Sequence, residues 1–179
     1  MARQIKRIIV EGLDGAGKTV LVQRLKVELG SKVDVIVNQK QSEQDFNVWW
    51  PEQLERSDKE PVPLHDRFFY SELVYGPLIR GHISAEPILV QNMLWFLRSS
   101  AMLIYARPHS DRLLAGSKVN HQMEGVHDKF LELLNLYDEL METEKQWYKD
   151  RFIHFVWHRE GEFENVVKLV RGYLSGEVT

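Results

Sequence analysis

Short apolar runs alternate along the chain with segments whose apolar residues recur every three or four positions. Arg7 to Glu11 is the first run and ends in a glycine-rich segment. Lys18 to Leu29 then places Leu21, Leu25 and Leu29 on one helical face, with Gly30 as a stop. Val33 to Val37 reads as a second strand, and Asn38 to Glu60 as polar and irregular, with Trp49-Trp50-Pro51 in its middle. Pro61 to Asp66 is a third strand carrying two prolines. A helix is expected from Phe69 towards Leu78. Another starts near Ser84, with Glu86 and Pro87 in its first turn and Leu89, Met93 and Phe96 on its apolar face. Ala101 to Ala106 is a fourth strand, and Arg107 to Gln122 is polar and basic. Phe130, Leu134, Tyr137 and Met141 mark a long helix, Phe152 to Trp157 a fifth strand, and Phe163, Val166, Val167, Val170 and Leu174 a closing helix. Strands separated by helices predict an α/β fold, a five-stranded parallel sheet with helices on both faces.

Composition narrows the function classes. At 179 residues the chain matches one domain, residues 1–179, large enough to bury a core, and its 44% apolar and 27% charged residues are those of a globular protein. A net charge of -3 gives no sign of a duplex-coating protein. Cysteine is absent, which removes disulfides, thiolate metal sites and thiol nucleophiles. The N-terminal apolar run stops at Glu11 before it could form a signal-peptide core, and nothing approaches the ~18 apolar residues of a membrane span, so a cytoplasmic protein without a membrane partner is expected. His154 and His158 do not share a face suited to a metal, His65 is read as structural, and no zinc is expected.

The chemistry is concentrated in Gly12-Leu13-Asp14-Gly15-Ala16-Gly17-Lys18-Thr19, which matches the phosphate-binding loop G-x-x-x-x-G-K-S/T between a strand and an amphipathic helix. Its glycines let consecutive N–H groups face a phosphate at the positive end of the following helix. Gly12, Asp14, Gly15, Ala16, Gly17, Lys18 and Thr19 are thus the expected ATP contacts, with Lys18 reaching the β/γ-phosphates and the Thr19 hydroxyl on Mg²⁺. The glycine spacing does not fit a dinucleotide-binding turn. A guanine-reading Asn-Lys-x-Asp motif is missing, and the length excludes a motor ATPase. Asp66 ends a strand expected beside the loop strand, where its carboxylate can hold the Mg²⁺ shell. Arg67 next to it can offer a bidentate fork to a phosphate.

Two segments resemble thymidylate kinases: Glu11 to Thr19, with an acidic residue inside the loop at Asp14, and Asp66-Arg67-Phe68-Phe69-Tyr70-Ser71-Glu72-Leu73-Val74-Tyr75 followed by Arg80. The resemblance implies a P-loop kinase fold with a small lid at residues 107–122, and transfer of the γ-phosphoryl of ATP to a (deoxy)nucleoside monophosphate such as dTMP. It implies that Asp14 binds the sugar 3′-hydroxyl, that Arg67, Ser71 and Arg80 serve the substrate, and that Phe69, Tyr70 and Tyr75 stack on its base. Lys18, Asp66 and Arg67 are the implied catalytic groups. Arg112 or Arg107 is expected to act from the lid, where Lys118 also lies, because Gly15-Ala16 occupies the place of a loop arginine found in some members. A homodimer is compatible with the resemblance. The chain departs from the family at Asn38-Gln39-Lys40, where Arg-Glu-Pro-Gly is usual, and at Gly76, where glutamine is common, which leaves the base open. Two other readings stand beside this one: a kinase acting on a hydroxyl of a nucleoside or of a nucleotide within DNA, and a nucleotide-binding regulator without turnover.

Overall fold

The computed structural model describes residues 6–38, 45–56, 61–111, 126 and 128–177. Gln39, Lys40, Arg112 and Lys118 lie outside that set, as does most of the expected lid. The strands are β1 (Arg7–Glu11), β2 (Val33–Val37), β3 (Val62–Asp66), β4 (Ala101–Ala106) and β5 (Phe152–Phe155). They form one parallel sheet in the order β2-β3-β1-β4-β5. Every residue of β1 and β4 is buried, as expected for inner strands covered on both faces.

The helices are α1 (Lys18–Leu29), α2 (Phe46–Arg56), α3 (Tyr70–Tyr75), α4 (Pro87–Ser100), α5 (Phe130–Tyr148) and α6 (Glu162–Ser175). α1 and α6 pack against each other, and α5 packs on α3, α4 and β4. None of the described helices is long and apolar enough to cross a membrane. The register places Val10 opposite both Asp66 and Ile104, so the ends of β1, β3 and β4 meet at the edge where the phosphate-binding loop begins.

Three expectations are corrected. The segment expected to be irregular contains α2, which is capped by Asp45 Oδ1 accepting from the Asn47 N–H at 2.9 Å. Burial of Phe46 and Trp50, with the Trp50 ring against Phe68 and Phe69, overrides the helix-breaking tendency of Pro51. The helix expected from Phe69 to Leu78 stops at Tyr75 and widens into a π turn at Gly76–Arg80. Here a Cβ on Gly76 would lie 2.9 Å from the His82 carbonyl oxygen and 3.0 Å from Glu72 Oε1, so the family's glutamine does not fit. Finally, β5 ends at Phe155, whose carbonyl accepts from the Arg107 N–H, and the chain turns at Val156. Pro61 lies before β3, and Pro63 is accommodated because pairing with β1 begins only at Leu64, one residue beyond it.

Candidate active site

The loop leaves β1 through Gly12 at φ 144°, where any Cβ would overlap the Ala106 carbonyl oxygen, and enters α1 through Gly17 at φ 83°. Lys18 is buried at the start of α1 and folds back so that Nζ donates to the Leu13 carbonyl at 2.7 Å. Burial pulls its ammonium down to about 8, opposed by the carboxylates of Glu11 and Asp66. One residue on, the Thr19 hydroxyl donates to Asp66 Oδ2 at 2.6 Å. That pair of hard oxygen donors, one from the loop helix and one from β3, fits Mg²⁺, which takes few protein ligands and completes its shell with water and phosphate.

Arg67 follows at the exit of β3 with φ 66°, a left-handed conformation that costs a non-glycine residue roughly 1–2 kcal/mol. Its guanidinium turns back over the loop and forms an ion pair with Asp14. The Asp14 N–H donates to the Tyr75 hydroxyl at 3.2 Å, and the Arg67 guanidinium lies 5.7 Å from the centroid of the Tyr75 ring. Arg80 Nη2 donates to Glu72 Oε2 at 2.5 Å. Asp14, Asn38, Trp49, Arg67, Tyr75 and Arg80 line a common cleft of about 410 Å³ beside the loop. Its two arginines are each held by a carboxylate, ready to exchange that partner for an anion.

Glu11, at the end of β1, is fully buried beneath this cleft. Its carboxylate accepts from the Phe68 N–H at 2.7 Å, the Ser71 N–H at 3.3 Å, the Ser71 hydroxyl at 2.8 Å and the Tyr137 hydroxyl at 3.4 Å. Burial pushes its carboxyl above the usual range, while Arg67, the Phe68 N–H, the Ser71 hydroxyl and Lys18 oppose the rise.

The structure therefore gathers Gly12, Asp14, Gly15, Ala16, Gly17, Lys18, Thr19, Asp66, Arg67, Ser71, Tyr75 and Arg80 around the loop and cleft. Phe69 and Tyr70 do not belong there. Phe69 is fully buried against Trp50. Tyr70 is fully buried with its hydroxyl 3.0 Å from Glu144 and 2.9 Å from Tyr148, so both are core residues unable to stack on a base. On α3, Ser71, Glu72 and Tyr75 line the cleft, with Ser71 and Tyr75 one helical turn apart. Arg107 lines a separate hollow with His154 and Lys145. Its guanidinium is held there by Asp138 through Nε at 2.8 Å and Nη2 at 2.9 Å. Arg112 lies outside the described residues. Glu72 and Phe46, which also line the cleft, carry no signal in the sequence. The Glu72–Arg80 spacing gives no local signal, and Phe46 belongs to the unexpected α2.

A G-x-x-x-x-G-K-T cradle opening α1, over a parallel sheet of order 2-3-1-4-5, defines a P-loop nucleoside-triphosphate-binding fold. No family model matches the chain, and no curated protein matches its sequence. Two solved structures share the fold over nearly their whole lengths. The YorR protein of Bacillus subtilis, in complex with phosphorylated GDP, has a TM-score of 0.69 at 19% identity, covering 93% of this chain and 96% of its own. The deoxyadenosine kinase of M. mycoides, with the products dCMP and dCDP bound, has a TM-score of 0.56 at 14% identity, covering 95% and 99%.

Proposed function

We propose that the chain is an ATP-dependent kinase that moves the γ-phosphoryl group to a (deoxy)nucleoside monophosphate such as dTMP. The observation that carries this reading is the cleft itself: it holds two arginines beside the phosphate loop, and Asn38, not a carboxylate, closes the end of β2. An acceptor hydroxyl must lose a proton to a base, whereas an acceptor phosphate is already an oxyanion and needs only its charge met. The dCMP and dCDP bound to the M. mycoides enzyme are consistent with a nucleotide in such a cleft. An oxygen of the acceptor phosphate bonds to Pγ, the bond from Pγ to the β-bridging oxygen breaks, and ADP leaves with that electron pair. Lys18 exchanges the Leu13 carbonyl for phosphate oxygens, and Arg67 and Arg80 hold the acceptor phosphate. Thr19 and Asp66 would hold Mg²⁺, which when bound would supply positive charge to the phosphate groups. Arg107, whose guanidinium now rests on Asp138, and Arg112 are the two candidates for the lid role.

The buried Lys18 ties this reading to pH. The ammonium is the productive form, so kcat/KM for ATP is expected to be flat below about 8 and to fall tenfold per pH unit above it, as the free enzyme loses that proton. A profile that stays flat to pH 10 separates Lys18 from phosphate binding.

A second reading, transfer to a hydroxyl of a nucleoside or of a nucleotide in DNA, draws on the Asp14–Arg67 pair, a carboxylate beside a guanidinium at the cleft wall that can act as a base. Asp14→Asn distinguishes the two. If Asp14 accepts a hydrogen bond from the 3′-hydroxyl, the variant is expected to lose about 10-fold or more in kcat/KM for dTMP and little for its 3′-deoxy analogue, because such charge-assisted bonds contribute about 1.5–3 kcal/mol. Equal losses on both acceptors remove the 3′-hydroxyl contact. Transfer to thymidine that vanishes in the variant while dTMP is never used supports the hydroxyl acceptor.

A further inference from the structure

Three hydrogen bonds, to Val10 and Glu11 of β1 and to Asn38 just after β2, set the backbone around Arg67. The Arg67 N–H donates to the Val10 carbonyl at 3.0 Å. The next peptide unit, formed by the Arg67 carbonyl and the Phe68 N–H, is held at both ends: Asn38 Nδ2 donates to the carbonyl at 2.7 Å, and the N–H donates to Glu11 Oε1 at 2.7 Å. Fixing the peptide planes on either side of a residue fixes its φ and ψ, here in the left-handed region at φ 66°. A strand-to-helix turn that needs a positive φ ordinarily takes glycine. An arginine is kept in that conformation where its side chain has a task, and here the guanidinium is directed into the cleft against Asp14.

We propose that Glu11 and Asn38 are positioning residues that clamp the 67–68 peptide and thereby aim Arg67 at the acceptor's phosphate. The proposal rests on the kinase reading for what Arg67 binds, but not for the clamp itself. It gives Asn38 a role of its own. The amide spends both hydrogens on acceptors, the Arg67 carbonyl and His65 Nδ1 at 2.9 Å, which fixes its orientation. A carboxylate at position 38 would turn an acceptor towards the carbonyl and open the clamp. Glu11 contributes an acceptor oxygen, and an amide at position 11 can supply the same oxygen to the Phe68 N–H while its NH₂ meets the Ser71 and Tyr137 hydroxyls.

The test compares Glu11→Ala, Glu11→Gln, Asn38→Asp and Arg67→Ala, singly and with each clamp variant combined with Arg67→Ala. At about pH 6, well below the Lys18 titration, Glu11→Ala and Asn38→Asp are expected to raise KM for dTMP about tenfold with KM for ATP unchanged, Glu11→Gln to stay within a few-fold of wild type, and neither clamp variant to add to the loss in Arg67→Ala. Losses that add fully to Arg67→Ala overturn the proposal. So does Glu11→Gln behaving like Glu11→Ala, which would make the charge of Glu11 the active feature. If the wild type phosphorylates no acceptor, the kinase reading fails and the clamp is judged from structure and melting. The crystal structure of Asn38→Asp is expected to show Arg67 out of the left-handed region, and Arg67→Gly to melt above Arg67→Ala. Arg67 unmoved in that structure, or the two position-67 variants melting together, overturns the clamp whatever the activity.

Discussion

Lys18→Ala is expected to lower kcat by on the order of 10³-fold or more while leaving the melting temperature close to that of the wild type. The ammonium is the loop's only cation and meets the charge that builds on the transferred group, a term worth far more in a water-excluded site than in solution. The fold depends on it much less. Among the described residues its ammonium donates to the Leu13 carbonyl, and burial already works against its charge, so the alanine variant removes a group the folded state holds reluctantly. Single-turnover kinetics with saturating ATP and a thermal melt on the same sample check both halves. Turnover near that of the wild type removes the phosphate loop from the chemistry.

Asp66→Asn is expected to lower kcat by about 10²-fold at physiological Mg²⁺, with partial recovery as Mg²⁺ is raised. The asparagine carbonyl can still accept from the Thr19 hydroxyl, so the strand end and α1 stay joined. What it loses is the negative charge that favours a divalent cation. A titration of kcat against Mg²⁺ separates this from a structural defect, which would leave the Mg²⁺ midpoint where it is in the wild type.

The parts of this site that can be read from the sequence are those whose physics is local. Glycine spacing after an apolar run reports a loop that must turn its N–H groups inward, and the stripe of Leu21, Leu25 and Leu29 reports the helix behind it. Asp66 and Arg67 follow from ending a strand at the same edge. The helix α2 escapes such reading because its stability comes from Trp50 packing on Phe68 and Phe69, partners distant in sequence, against the local signal of Pro51. Helical phase fails for the same reason at α3. Phe69, Tyr70 and Tyr75 are alike by residue type, and only the buried Glu144 and Tyr148 of α5 show that Tyr70 turns inward while Tyr75 meets the cleft. Asn38 reads in isolation as a missing carboxylate. Its bond to the Arg67 carbonyl exists only because β2 and β3 lie side by side in register.

The central claim is the identity of the acceptor atom, and ³¹P NMR of the product tests it most directly. The protein is incubated with ATP, Mg²⁺ and, in separate samples, dTMP, the other common nucleoside monophosphates, thymidine and a short single-stranded DNA. ADP forms with either acceptor, so the expected result is a second nucleoside diphosphate beside it: the monophosphate singlet disappears, and the paired diphosphate doublets account for two diphosphates per ATP consumed. A new uncoupled monoester singlet from thymidine or DNA, with every monophosphate left intact, contradicts the account and assigns the cleft to a hydroxyl.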